Sequence, residues 1–286
     1  MGLIVGLPLL GKELIEQAVR RRTYVVRCVY AVALFLGFAI AYRDSAKGSF
    51  YAQMGASLIG QGRELFDTLF YAQAWAIVLL MPALAAGAIT QEKEQGSFTI
   101  LLLTSLRPWE LLLQKWLSRV VMVGSYLLLS LPLLAITYAY GGFSTAYLFA
   151  GIYLLALTCL QTAAVALAMS AWFRGSVGAF IATYLVIAAL YTGRLAVSAL
   201  TNWSFGDWSG PMLVPMVSGF PTCMLFPIKL FAWYDNPSVD PARVVRDSWA
   251  ILFSIVIFLS FARWALLRRA DVSGGSPLLK IFKRLD

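Results

Sequence analysis

Between Arg119 and Arg174 the chain runs through residues 120–173, a stretch of 54, without one charged side chain. About 20 predominantly apolar residues in a helix cross a hydrocarbon core of roughly 30 Å, so this stretch is long enough for two crossings. Gly141-Gly142 sits near its middle and marks the turn between them. Applied to the whole sequence, the same criterion predicts spans at about 23–42, 68–90, 117–140, 145–173, 177–200 and 249–267. The expected fold is therefore all-α: one polytopic membrane domain, 1–286, with six transmembrane helices. Residues 208–228 are also free of charge, but Pro211, Pro215, Pro221 and Pro227 would strip backbone hydrogen bonds that lipid cannot replace. That stretch reads as re-entrant or interfacial, within an outer loop at 201–248.

Composition supports this reading where it bears on function. Only 13% of residues are charged, against about 25% in soluble domains, and 60% are hydrophobic, which excludes a disordered chain. The net charge of +9 fits either nucleic acid or an anionic membrane face, and its distribution decides. With six spans and both termini in the cytoplasm, sixteen of the 23 basic residues fall inside, and the 14 acidic residues divide evenly. The whole excess is then a topology signal, and no nucleic-acid partner is expected. Trp109, Trp116, Trp172, Trp249 and Trp264 fall near span ends, as in an interfacial belt. A cleaved leader ending at Ala39-Ile40-Ala41 would be longer than the usual 15–30 residues and is not expected.

The chain lacks histidine, which removes a Ser–His dyad and a His-ligated zinc site. Cys28, Cys159 and Cys223 are scattered, with neither a disulfide framework nor metal-ligand spacing. Every Asp maps to a loop, span edge or tail, so no paired-aspartate site is expected, and no catalytic residue or metal ligand is assigned. Gly6 to Lys12 has the spacing of a phosphate-binding loop, but Glu13 stands where the magnesium-binding Ser or Thr belongs. ATP hydrolysis by this chain is not expected.

Two segments on the proposed cytoplasmic side stand out. In residues 8–22, Leu10, Leu14, Ile15, Ala18 and Val19 recur with helical period, while Lys12, Glu13, Glu16, Gln17 and Arg20 take the other positions. Pro8 suits a first turn, so this is an amphipathic interfacial helix leading into Arg21 and Arg22. It serves either as a plain anchor or as a docking element. Residues 91–107 open with a charged head, Glu92-Lys93-Glu94, then Gly96, then Phe98, Leu101, Leu102 and Leu106 on one helical face. The segment is either a connecting loop or a docking surface. Pro108 opens the next helix with Glu110 in its first turn; run to Tyr140, it would be about 50 Å long, with a bend expected at Pro132. Thr162, Ala166 and Ser170 form a stripe of small residues suited to close helix packing, within the chain or across a dimer.

The 91–107 segment resembles the membrane permeases of type-2 ATP-binding-cassette exporters. The likeness rests on Glu92-Lys93-Glu94-Gln95-Gly96-Ser97, on Leu101-Leu102-Leu103-Thr104, and on Glu110 and Lys115 entering a long helix. Gly11-Lys12-Glu13-Leu14 with Arg20-Arg21-Arg22 is similar to the family's N-terminal helix. Ser105 and Gln114 depart from residues common in relatives. The resemblance implies a permease half in the plasma or inner membrane of a bacterium. It would pair with a second half, identical or different, and with cytoplasmic ATPase subunits that bind ATP and magnesium; this chain would bind no cofactor. It further implies that Glu92, Lys93, Glu94, Gln95, Gly96, Ser97, Phe98, Leu101 and Thr104 contact the ATPase. Lys12, Glu13, Glu16, Arg20 and Arg21 would join them from the N-terminal helix, and Pro211, Pro215, Phe220 and Pro221 would lie near an outer gate. The predicted spans carry no acidic residue near their centres, which disfavours a proton-driven carrier. A non-transporting anchor for a cytoplasmic complex is the main alternative, and a membrane-embedded enzyme a lesser one.

Overall fold

Backbone amides cannot be left unpaired in lipid, and the charge-free stretches resolve that constraint by forming helices. The structure is a computed structural model describing residues 8–19, 21–52, 62–94, 108–205 and 241–272; for some of these, 44–52 and 191–205 among them, it describes only helical backbone. Ten helices follow in order among the described residues: α1 (Pro8–Val19), α2 (Arg21–Ala52), α3 (Gly62–Ala85), α4 (Gly87–Glu94) and α5 (Pro108–Leu129). Then come α6 (Leu131–Ala139), α7 (Thr145–Trp172), α8 (Ser176–Phe205), α9 (Pro241–Asp247) and α10 (Trp249–Val272). The described residues contain no strand.

Four helical stretches are long and apolar enough to cross a membrane: Thr23–Arg43, Gly62–Glu94, Thr145–Trp172 and Val244–Arg268. The bent pair α5–α6 makes a fifth. Several helices outrun the apolar stretches that announced them. α3 starts at Gly62, six residues before its predicted span, because Arg63, Glu64 and Asp67 fill a polar first turn and a half without breaking the helix. α8 runs on through Phe205 and α9 covers Pro241–Asp247, so both ends of the predicted 201–248 loop are helical.

α7 is the axle of the bundle. It packs against α3, α4, α5, α8, α9 and α10, and 78% of its most apolar window is buried. Its stripe Thr162, Ala166 and Ser170 is buried within the chain, as the intrachain reading of those small residues requires. α2 is the opposite case, with 11% of its window buried. It meets α3 and α5 along one edge, through Tyr30 and Leu34, and exposes Val25, Val29, Val32, Phe35 and Leu36.

The α6–α7 turn is made at Gly141 and Gly142, whose φ values of 72° and 93° suit glycine. The start of α3 lies directly on this turn: a Cβ on Gly62 would clash with the carbonyl oxygens of Thr137 and Gly141. Phe66 stacks on Phe143 across the same junction and Tyr147 packs obliquely against both, while the Tyr147 hydroxyl donates to Asp67 Oδ1 at 2.7 Å.

The bend foreseen at Pro132 is present, as a 40° angle between α5 and α6. Pro132 has no N–H to donate and its ring crowds the preceding turn. The backbone break falls at Ser130, whose hydroxyl donates to Leu127 O at 2.7 Å and reaches Gln73 Oε1 of α3 at 3.0 Å.

Candidate functional site

Glu92, Lys93 and Glu94 are successive residues on the last turn of α4, so their side chains leave the helix about 100° apart. Each reaches a different part of the bundle. All three charges of the head are engaged within the chain.

Glu92 reaches α5, where its Oε1 accepts from Lys115 Nζ at 2.6 Å. The same ammonium donates to Glu13 Oε1 of α1 at 3.1 Å and to Ala88 O of α4 at 3.1 Å. Lys115 is 1% exposed. Three directed acceptors match the three donors of an ammonium group, which is how a buried lysine is tolerated. Glu13 is completed by Ser118, whose hydroxyl donates to Oε2, and by Arg119, whose guanidinium nitrogen lies 3.7 Å from the same oxygen. Lys115, Ser118 and Arg119 stand at i, i+3 and i+4 and so share one stripe of α5. Two carboxylates and two cations form a neutral group joining α1, α4 and α5.

Lys93 and Glu94 grip the turn between α7 and α8. Lys93 Nζ donates to the carbonyls of Ser170 at 2.8 Å, Ala171 at 2.7 Å and Phe173 at 3.2 Å. These are orphan acceptors at the negative end of α7. Glu94 Oε1 accepts the Ser176 backbone N–H at 2.7 Å, at the positive end of α8. Outside the apolar part of the span and exposed to solvent, the Glu94 carboxyl is held below the usual carboxylate range chiefly by that backbone donor. Adjacent charges of opposite sign thus meet helix ends of opposite polarity. Ser170 closes the arrangement from α7, its Oγ accepting the N–H groups of Ile89 at 3.0 Å and Thr90 at 3.2 Å. The interruption of the helix at Ala86, four residues after Pro82, leaves amides at the start of α4 in need of an acceptor.

Among the N-terminal candidates, Glu13 is therefore placed in the ion group, Arg21 is exposed at the start of α2, and Ile15 and Val19 of α1 are exposed apolar residues. Lys12 and Glu16 lie on α1 with side chains outside the described residues, as does Arg20 entirely. Pro8 to Lys12 are helical, so the Gly6–Lys12 spacing does not form a phosphate-cradling loop at those positions. Gln95, Gly96, Ser97, Phe98, Leu101 and Thr104 lie outside the described residues, as do Pro211, Pro215, Phe220 and Pro221. No cluster suited to a metal ion is present among the described residues.

Sequence reading missed the part played by Ser118, Arg119 and Ser170, and took Lys115 only as a point of likeness. A signal existed for the first two: a lysine within Leu111-Leu112-Leu113-Gln114-Lys115-Trp116-Leu117, followed by polar residues on its own stripe, needs an acid from elsewhere. Compared with known proteins, the chain matches no family model and no curated protein.

Proposed function

We propose that this chain is the membrane-spanning permease subunit of an ATP-driven exporter of the ATP-binding-cassette class, coupled to separate cytoplasmic ATPase subunits. In this reading the bundle has six crossings: α2, α3–α4, α5–α6, α7, α8 and α10. Both termini and the 91–107 segment face the cytoplasm. A second permease half, identical or different, completes the substrate pathway.

The observation that carries the reading is the fastening of Glu92-Lys93-Glu94. The residues immediately before the 95–107 segment are tied to α1 and α5 through Lys115 and to both sides of the α7–α8 turn through Lys93 and Glu94. A force applied by an ATPase to 95–107 would be delivered to four helices at once rather than absorbed by a loose loop. Coupling by differential contacts in two states requires such a stiff connection. The contact with the ATPase then falls to Gln95–Thr104, while Glu92, Lys93, Glu94 and Glu13 transmit the movement.

Co-purification with a candidate ATPase tests this. Phe98→Asp and Leu101→Asp should abolish binding while leaving the thermal stability of the chain unchanged. Association that survives both changes, or no association of the wild-type chain with any candidate ATPase, would sink the proposal. ATPase binding without movement of any cargo in reconstituted vesicles would instead favour the anchor.

A further inference from the structure

α2 meets α5 along a short seam, two turns of α5 beyond the ion group's Arg119. Tyr30 and Tyr126 form it, 7% and 2% exposed, with ring centroids 5.4 Å apart, edge to face. Both hydroxyls are buried, and neither has a hydrogen-bond partner among the described residues. The Arg27 guanidinium carbon lies beside them, 6.0 Å from the ring centroids of both Tyr126 and Tyr24. Its Nε is likewise buried without an acceptor, and no carboxylate pairs with it among the described residues. The carboxylates of the ion group, Glu13 and Glu92, are already matched by Lys115 and Arg119. We propose that this seam receives the phosphate group of an anionic phospholipid, with Arg27 as the cation and the two phenols as donors.

Three N–H or O–H groups without an acceptor suit a ligand rich in acceptors, and phosphate oxygens match the planar, paired donors of a guanidinium. Contact with an aromatic ring uses the face of the guanidinium and leaves its N–H edge for that purpose. α2 can yield to admit the group, because only 11% of its apolar window is buried. Depth and surroundings favour a lipid over free phosphate. Arg27 stands four residues past Thr23, where the apolar stretch opens, about 6 Å along the helix axis and so near headgroup level. Tyr24, Cys28 and Phe35 flank it on one exposed stripe of α2, which gives an acyl chain a track leading into the span. In the proposed topology this end is the inner face, where basic sites between helices bind anionic headgroups.

The inference needs only a membrane-embedded bundle and is independent of the ATPase reading. The purified chain in detergent is incubated with equal amounts of phosphatidylglycerol and phosphatidylcholine of matched acyl chains, and retained lipid is counted by native mass spectrometry. Phosphatidylglycerol should be retained preferentially. R27Q should lower its retention on the order of fivefold, the factor expected for one basic residue at an anionic lipid, with phosphatidylcholine unchanged. The double variant Y30F/Y126F removes two hydroxyls that lack partners, so the lipid-free chain should melt no lower than wild type while phosphatidylglycerol retention falls. It also provides the test if R27Q does not fold. A lower lipid-free melt in Y30F/Y126F would show a purely structural role for the hydroxyls and overturn the proposal. Equal retention of the two lipids, or undiminished phosphatidylglycerol in either folded variant, overturns it as well. So does competition by glycerol 1-phosphate as effective as by the lipid, which would show a site for free phosphate.

Discussion

Lys115 is the residue on which most of the ion group depends. Its two carboxylate partners, Glu13 and Glu92, are 13% and 24% exposed, so removing the ammonium leaves two poorly hydrated negative charges facing each other. Lys115→Met should destabilise the folded chain by about 3–5 kcal/mol, the usual result of breaking a buried pair from one side. Adding Glu13→Gln and Glu92→Gln to that variant should recover much of the loss, because a neutral group of similar shape no longer pays for desolvation. Thermal melting in detergent checks both, and a Lys115→Met melt equal to wild type would contradict the geometry. Gly62 is critical for a different reason. In Gly62→Ala the new methyl meets two backbone carbonyls rather than a movable side chain, so the α3 start must separate from the α6–α7 turn. The expected outcome is a loss of roughly 1–3 kcal/mol, as for overpacked sites, read by the same melt. A parallel Gly124→Ala change inside α5, where a Cβ meets nothing within 4 Å, should leave the melt no lower, and raise it if helix propensity is expressed.

At the scale of elements, the α7–α8 turn is held by charges borrowed from α4. Lys93→Met should cost about 1 kcal/mol through the lost interaction with the α7 carbonyls. Glu94 adds a pH dependence. Its carboxyl is held lower in the folded chain than in the unfolded one, so its contribution is present above the ordinary carboxylate range and is lost as the pH falls through the lowered value. Glu94→Gln should flatten that part of the stability profile, and unchanged acid sensitivity would argue against the cap. Much of this level could be read from the chain itself. The uncharged run 120–173 announced two helices, Gly141-Gly142 their turn, Pro132 the bend, and Thr162, Ala166 and Ser170 a packed face. Those signals are local, set by the residue and its near neighbours. The ion group was not legible, because Lys115 finds Glu13 across 102 residues and Lys93 finds Ala171 across 78. A pattern of one charged triplet cannot show which distant helix ends it will meet.

On the scale of the whole molecule, among the described residues, Lys93, Lys115, Arg119, Arg263 and Arg268 gather toward the end of the bundle where α7 ends, while Arg63 stands beside Tyr147 where α7 begins, 5.6 Å from its ring, with Arg43 and Arg246 toward that same end. In the proposed topology, which rests on the net charge of +9 and the tendency of basic residues to stay in the cytoplasm, the α7–α8 turn faces the inner side. A cysteine placed at Arg174 should be blocked by a membrane-impermeant thiol reagent only after cells are opened. One placed at Thr145 should react in intact cells, and the reverse pattern would invert the proposed topology.

α2, so sparsely packed, has a consequence for how the protein is made. This helix leaves the ribosome before α3 and α5, the helices it packs against, and the glutamate just ahead of it, Glu13, has its lysine 102 residues further along the chain. Until α5 has been synthesised and inserted, α1 cannot be fastened and its carboxylate stays in water. Lys115 therefore acts late in biogenesis, as the stitch that draws the amino terminus back onto an assembled bundle. Chains truncated before Lys115 should leave α1 open to protease, whereas chains extended beyond α7 should protect it.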